Sequence, residues 1–165
     1  MTMLDLATLG QILSSLAVLI TLVYLAIEVK QNTAALHAQT RQALMTGSQS
    51  ELFQVIEHPD IHINFIKKSN EISPEEYIRL HGFLTALMRA REFAWLQYQN
   101  DIIDEDQWHT EKGVIDVLLT IKRNRTWWEK LGRGFFSPDF VAFVDTLIEG
   151  KPDNDIGKLF LNWES

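Results

Sequence analysis

Twenty-two consecutive residues without a formal charge, from Leu6 to Ile27 (LATLGQILSSLAVLITLVYLAI), limit what this chain can become. As a helix with a rise of about 1.5 Å per residue the stretch is roughly 33 Å long, enough to cross a hydrocarbon core of about 30 Å. A helix satisfies its own backbone hydrogen bonds, so one such element suffices as an anchor. The competing reading, a core helix, requires protein to cover it on every side, which a chain of 165 residues is poorly able to supply.

The two faces of the stretch differ. Leu9, Leu13, Leu16, Ile20, Val23 and Ile27 alternate by three and four and form a bulky aliphatic stripe suited to lipid. Ala7, Gly10, Ser14, Ala17, Thr21 and Tyr24 form a second stripe at the same spacing, and Glu28 and Gln31 continue it. Small residues in register let helix backbones approach closely in a medium that offers no hydrophobic drive. Gln11 adds an amide that favours a partner inside a bilayer. This stripe is the candidate helix–helix contact face. The same residues also suit a pore lining, with rings of Gln11, Tyr24 and Glu28, and carboxylate rings favour cations.

Length leaves room for one span and a soluble domain of roughly 120 residues with a single core. Hydrophobic content of 46% with 22% charged residues is that of a folded protein. There is no cysteine, hence no disulfide or thiolate chemistry, and a formal charge of −7 argues against general nucleic-acid binding. Asp5 is the only charge before the span, and Lys30 and Arg41 follow it. The positive-inside tendency then places the amino terminus outside and the following domain in the cytoplasm. A cleavable leader requires a basic start and a shorter apolar core, so an uncleaved single-pass anchor is expected.

Residues 28–46 contain neither glycine nor proline and are expected to prolong the span as a helical stalk. Ala35, Ala38, Gln42 and Met45 extend its contact stripe as a short coiled coil. Gly47 and Ser48 are expected to interrupt it, followed by an apolar patch of Leu52, Phe53, Val55 and Ile56. Pro59 suits the first turn of a short helix carrying Ile61, Phe65 and Ile66. Ser73-Pro74-Glu75-Glu76 combines a serine cap, a proline in the first turn and a capping-box glutamate, predicting a helix to about Asn100. Its core stripe is Leu80, Leu84, Leu87, Ala94 and Tyr98, flanked by Phe83, Met88 and Trp95. Asp104 opens a second helix through Val114, Leu118 and Ile121. Thr126-Trp-Trp-Glu129 predicts a third start closed by Gly132, and Ser137-Pro138 a fourth closed by Gly150. The fold class is therefore all-α: a transmembrane helix over 1–28, a stalk over 29–46, a helical bundle over 47–150, and a tail over 151–165. Leu159, Phe160, Leu161 and Trp163 in that tail are candidates to dock on the bundle or a partner.

The chain resembles a group of uncharacterised bacterial proteins with one amino-terminal span and a small helical domain. The resemblance lies in Tyr24-Leu-Ala-Ile-Glu-Val-Lys-Gln-Asn-Thr33, in Glu92-Phe-Ala-Trp95 with Tyr98, and in Ile103-Asp-Glu-Asp-Gln-Trp108. It continues through the Trp127-Trp128 pair and Phe136-Ser-Pro-Asp-Phe140 to Asp145. It implies the architecture and a bacterial inner-membrane location, and carries no activity or catalytic residue.

Few residues group in ways that carry chemistry. His58 and His62 stand four apart beside Glu57 and Asp60, but Pro59 breaks the helix that would align them for a metal. Asp106 and His109 form half of a di-iron motif whose other half is missing. Arg91 falls on the core stripe among Leu87 and Ala94, with Arg89 and Glu92 beside it, so it needs a carboxylate partner, Asp116 or Glu111. The alternative is an arginine aimed at an anionic ligand. Ile121–Arg133 carries five basic residues against one acid. Lys122, Arg123, Arg125 and Arg133 with Trp127 and Trp128 are a candidate lipid-facing patch, the competing reading being a solvated turn whose tryptophans plug the core. No nucleophile elbow, phosphate loop or dinucleotide fingerprint is present. The expectation is a non-enzymatic membrane protein without metal or cofactor. It would either form a homo-oligomer or join a larger membrane complex as an accessory subunit, with an oligomeric ion pore as the alternative.

Overall fold

The computed structural model describes residues 3–66 and 72–151. The tail positions Leu159, Phe160, Leu161 and Trp163, and the side chains of His62, Phe65 and Ile66, lie outside the described residues. Among those described the protein is all-helical: α1 (Met3–Glu57), α2 (Pro59–Ile66), α3 (Pro74–Gln99), α4 (Glu105–Thr120), α5 (Lys122–Lys130), a 3₁₀ turn (Gly132–Phe135) and α6 (Pro138–Ile148). They form two compact units, the first ending at Gln42 and the second beginning at Ala43.

The first unit is the apolar part of α1, the one described helix long and apolar enough to cross a membrane. From Ala7 to Leu36 every side chain is exposed, including Leu13 at 65% and Ile20 at 62%. The core-helix reading requires those side chains to be covered by protein, and the described residues of this chain do not cover them. The expected interruption at Gly47 is absent: α1 runs unbroken to Glu57. A mid-helix glycine costs about 1 kcal/mol against alanine. That cost is offset where Leu44, Ser48, Glu51 and Val55, spaced by four, three and four, form a partly buried stripe with Leu44 packed on the core.

The second unit starts its longest helix as its sequence dictates. Ser73 Oγ accepts the Glu76 backbone N–H and the Glu76 carboxylate accepts the Ser73 N–H at 2.8 Å, a complete capping box with Pro74 in the first turn. α3 then buries Leu80, Phe83, Leu84, Leu87, Met88 and Ala94, with Trp95 and Tyr98 packed against them. It lies against α2 and α4, and α4 in turn against α5 and α6. The core closes on Ile115, Leu119, Trp128, Phe140 and Val144, all fully buried. Asp104 caps α4 through the Gln107 N–H.

Two predicted helix starts form differently. Thr126 is not a cap: α5 already begins at Lys122, and Thr126 Oγ1 donates to the Lys122 carbonyl inside it. The break from α4 to α5 is held instead by Asn124 Nδ2 and Arg125 Nε, which donate to the Leu118 and Leu119 carbonyls at 3.0 Å. These are end-of-helix acceptors that otherwise lack partners. Gly132 opens the 3₁₀ turn, and a Cβ there would lie 3.0 Å from the Trp127 indole, so the ring's seat depends on this glycine. At α6 the Ser137 hydroxyl makes no cap bond. The buried Glu92 carboxylate serves that end by accepting the Ser137 N–H at 2.7 Å. Gly150, at φ +69°, follows α6 in the left-handed region that glycine tolerates best.

Candidate contact face and buried charge cluster

The candidate face on the first unit is intact and uncovered. Gly10, Gln11, Ser14, Ala17, Thr21, Tyr24 and Glu28 are all exposed on one continuous helix, and so is Ala7. Its hydroxyls are satisfied within the helix: Ser14 Oγ donates to the Gly10 carbonyl at 2.8 Å and Thr21 Oγ1 to the Ala17 carbonyl at 2.8 Å. Off the face, Ser15 does the same to Gln11 and Thr33 to Val29. Such back-bonding lets small polar residues sit in hydrocarbon without a partner. Gly10, Ser14, Ala17 and Thr21 leave a low surface outward, with the larger Gln11, Tyr24 and Glu28 exposed beside them.

In the second unit, the arginine singled out by its place on the core stripe is 3% exposed. Its guanidinium is held between two carboxylates: Nη1 donates to Glu111 and Nη2 to Glu51. Of the two partners expected from sequence, Glu111 is correct and Asp116 is not, because Asp116 pairs with Lys151. Glu51, forty residues upstream, carried no signal in sequence beyond being one of two acids, with Glu57, that flank an apolar patch. Burial pushes its carboxyl above the ordinary range against the opposing pull of Arg91, and the nearby Glu111 charge adds to the rise. Both guanidinium ends are engaged by protein, so the arrangement is a structural clasp joining α1, α3 and α4. Arg89 pairs with Glu92 at 2.9 Å and lies 5.3 Å over the Phe136 ring.

The two tryptophans of the basic segment do not take the interfacial place considered for them. Trp127 and Trp128 are 3% and 0% exposed, so neither indole can reach a bilayer surface. Trp127 Nε1 donates to His81 Nδ1 at 2.8 Å, and Trp128 Nε1 to Asp145 at 2.9 Å, with Arg133 gripping the same carboxylate. Arg123 donates to the Asn64 carbonyl and Arg125 to those of Leu119 and Lys151. Lys122 is exposed at the start of α5. The tryptophans plug the core, Arg123 and Arg125 serve backbone acceptors, and Arg133 pairs with Asp145.

His58 is exposed in the single-residue break between α1 and α2, and Asp106 and His109 are exposed on α4. Among the described residues no group of three His, Cys, Asp or Glu could hold an ion. Comparison with protein families, curated proteins and solved structures finds no match to the chain.

Proposed function

We propose that this protein is a membrane-anchored helical interaction module that self-associates through the small-residue face of its span. In this reading it sits in a bacterial inner membrane, of the kind its sequence resemblance implies, with the second unit in the cytoplasm. The observation that carries the reading is the apolar stretch of α1, exposed at every described side chain and with its Ser14 and Thr21 hydroxyls bonded internally. An apolar surface of that length needs lipid around it. Lys30 and Arg41 after the span support the orientation. The second unit contributes a packed core and a charge cluster in which Glu51 and Glu111 hold Arg91.

Two treatments of the full chain in native membranes test this. Alkaline carbonate should leave the protein in the membrane pellet, and release would contradict anchoring. Gly10→Ile with Ala17→Ile should leave the protein in the pellet while lowering its self-association at least tenfold, because bulk on this face holds the backbones apart. Unchanged assembly would remove the face from the account. Assembly with a different chain, lost in the same double variant, would favour the accessory-subunit role over the homo-oligomer.

A further inference from the structure

The stretch Ala43–Glu57 of α1 has two faces, and only one is used by the second unit. Leu44, Ser48, Glu51 and Val55 are partly buried. Met45, Leu52, Phe53 and Ile56 stand 64%, 64%, 63% and 72% exposed on the same stretch of helix. Exposed apolar side chains scattered singly, such as Ile78 and Val117, need no explanation, but four large ones clustered on one stretch of helix mark a surface that something covers.

The spacing specifies what covers it. Met45, Gln49, Leu52 and Ile56 alternate by four, three and four, with Phe53 flanking Leu52, the period of a coiled-coil seam. In the sequence the same register runs back without a slip through Gln42, Ala38, Ala35, Gln31 and Glu28 to the small-residue stripe of the span. A seven-residue repeat sustained over that length winds helices about one another, since a lone straight helix would let the stripe drift by about 20° per heptad.

The charges favour a second copy of this chain. A self-contact brings each side chain against its own equivalent, so like charges on the seam would repel. Glu28, at the membrane end of the register, is the one acid on the seam, and from Gln31 to Ile56 the seam has no formal charge. The two charges in that stretch, Arg41 and Glu51, lie off it, and Glu51 is engaged by Arg91. Chains anchored by the same end in one bilayer run parallel, so Leu52 meets Leu52 and Ile56 meets Ile56.

We infer that Met45, Leu52, Phe53 and Ile56 form a parallel coiled-coil contact between copies of the protein, outside the membrane. The inference rests on the reading of α1 as a self-associating span and adds a second, separately testable contact to it.

The chain has no cysteine, so single cysteines report proximity without background. M45C, L52C and I56C, oxidised in the full chain in native membranes, should form disulfide-linked dimers several-fold more readily than S50C and Q54C, which are exposed on the other flank. A17C reports the span face in parallel. If A17C forms dimers while M45C, L52C and I56C fall to the level of S50C and Q54C, this contact is overturned and the span contact stands. If no position cross-links, both are overturned. Adducts of M45C, L52C and I56C with a different chain would also overturn it. Adding Leu52→Glu to I56C places carboxylates across the seam and should cut the dimer yield several-fold. An unchanged yield would show that the cross-link needs no such seam.

Discussion

Replacing Arg91 with leucine is expected to lower the stability of the second unit by about 3–5 kcal/mol, since it strands buried charge without a partner. The leucine fits the stripe of Leu87 and Ala94, so the loss comes from the acids left behind. Glu51 and Glu111, with side chains 25% and 13% exposed, would face each other with no cation between them. Glu51, whose carboxyl burial already raises, then loses the cation that opposed the rise, so in the variant the folded state holds a proton that the unfolded state releases. Where the folded state binds the extra proton, stability rises as pH falls and is lost as pH rises. The deficit should therefore be largest at neutral pH and shrink as pH falls through the raised carboxyl range. Glu51→Gln is the control. Burial already raises that carboxyl in the parent, so the charge is a net disadvantage above its ordinary value, and that disadvantage disappears on acidification. Glu51→Gln should leave neutral-pH stability unchanged or higher, converging on the parent in acid. Replacing all three, Glu51→Met with Arg91→Leu and Glu111→Met, should recover most of the loss, as apolar substitutes for buried ion clusters commonly do. Thermal unfolding of the full chain in detergent, followed by fluorescence of the core tryptophans at pH 7 and pH 5, reads all of these. An Arg91→Leu variant as stable as the parent would mean that the clasp is open to water.

Trp128→Ala is expected to cost a similar amount, about 3–5 kcal/mol, by a different route. The indole is fully buried and lies against Phe136 at 5.3 Å, Trp127 at 6.3 Å and Phe140 at 6.5 Å between ring centroids. Truncation leaves a cavity lined by rings that have little freedom to collapse into it. It also removes the donor to Asp145 at 2.9 Å. Trp128→Phe separates the two effects: most of the volume stays and the donor goes, while Asp145 keeps Arg133. The cost should fall to about 1–2 kcal/mol, a lost hydrogen bond plus a small packing defect. Urea unfolding followed by far-ultraviolet circular dichroism measures both variants. A loss below 1 kcal/mol for alanine would place the ring outside the cooperative core.

What sequence reveals here follows the range of the interactions involved. The Ser73–Glu76 capping box, the Asp104 cap and the long uncharged stretch are local, and each forms as written. The core stripe of α3 was legible from period alone because one helix face determines it. The partners of Arg91 were only half legible. Glu111 lies on the next helix, whereas Glu51 is forty residues upstream on a helix expected to break at Gly47. A glycine is a weak breaker when residues on either side of it pack on a core, and nothing in the local sequence shows that packing. Thr126 misled for a related reason. Its capping pattern is real in isolation, but the carbonyls at the end of α4 recruit Asn124 and Arg125 and start the helix a turn earlier. The tryptophan pair was ambiguous in sequence because the same aromatic and basic residues suit a bilayer surface and a core lid. Burial separates the two readings.

The exposed apolar helix is proposed to place this protein in a membrane and to bring copies of it together. Native mass spectrometry of the full chain, released gently from its own membranes, tests that claim most directly. A single mass equal to a whole multiple of the 19.0 kDa chain, with lipid retained, is the predicted result. A bare 19.0 kDa monomer from intact membranes would contradict it.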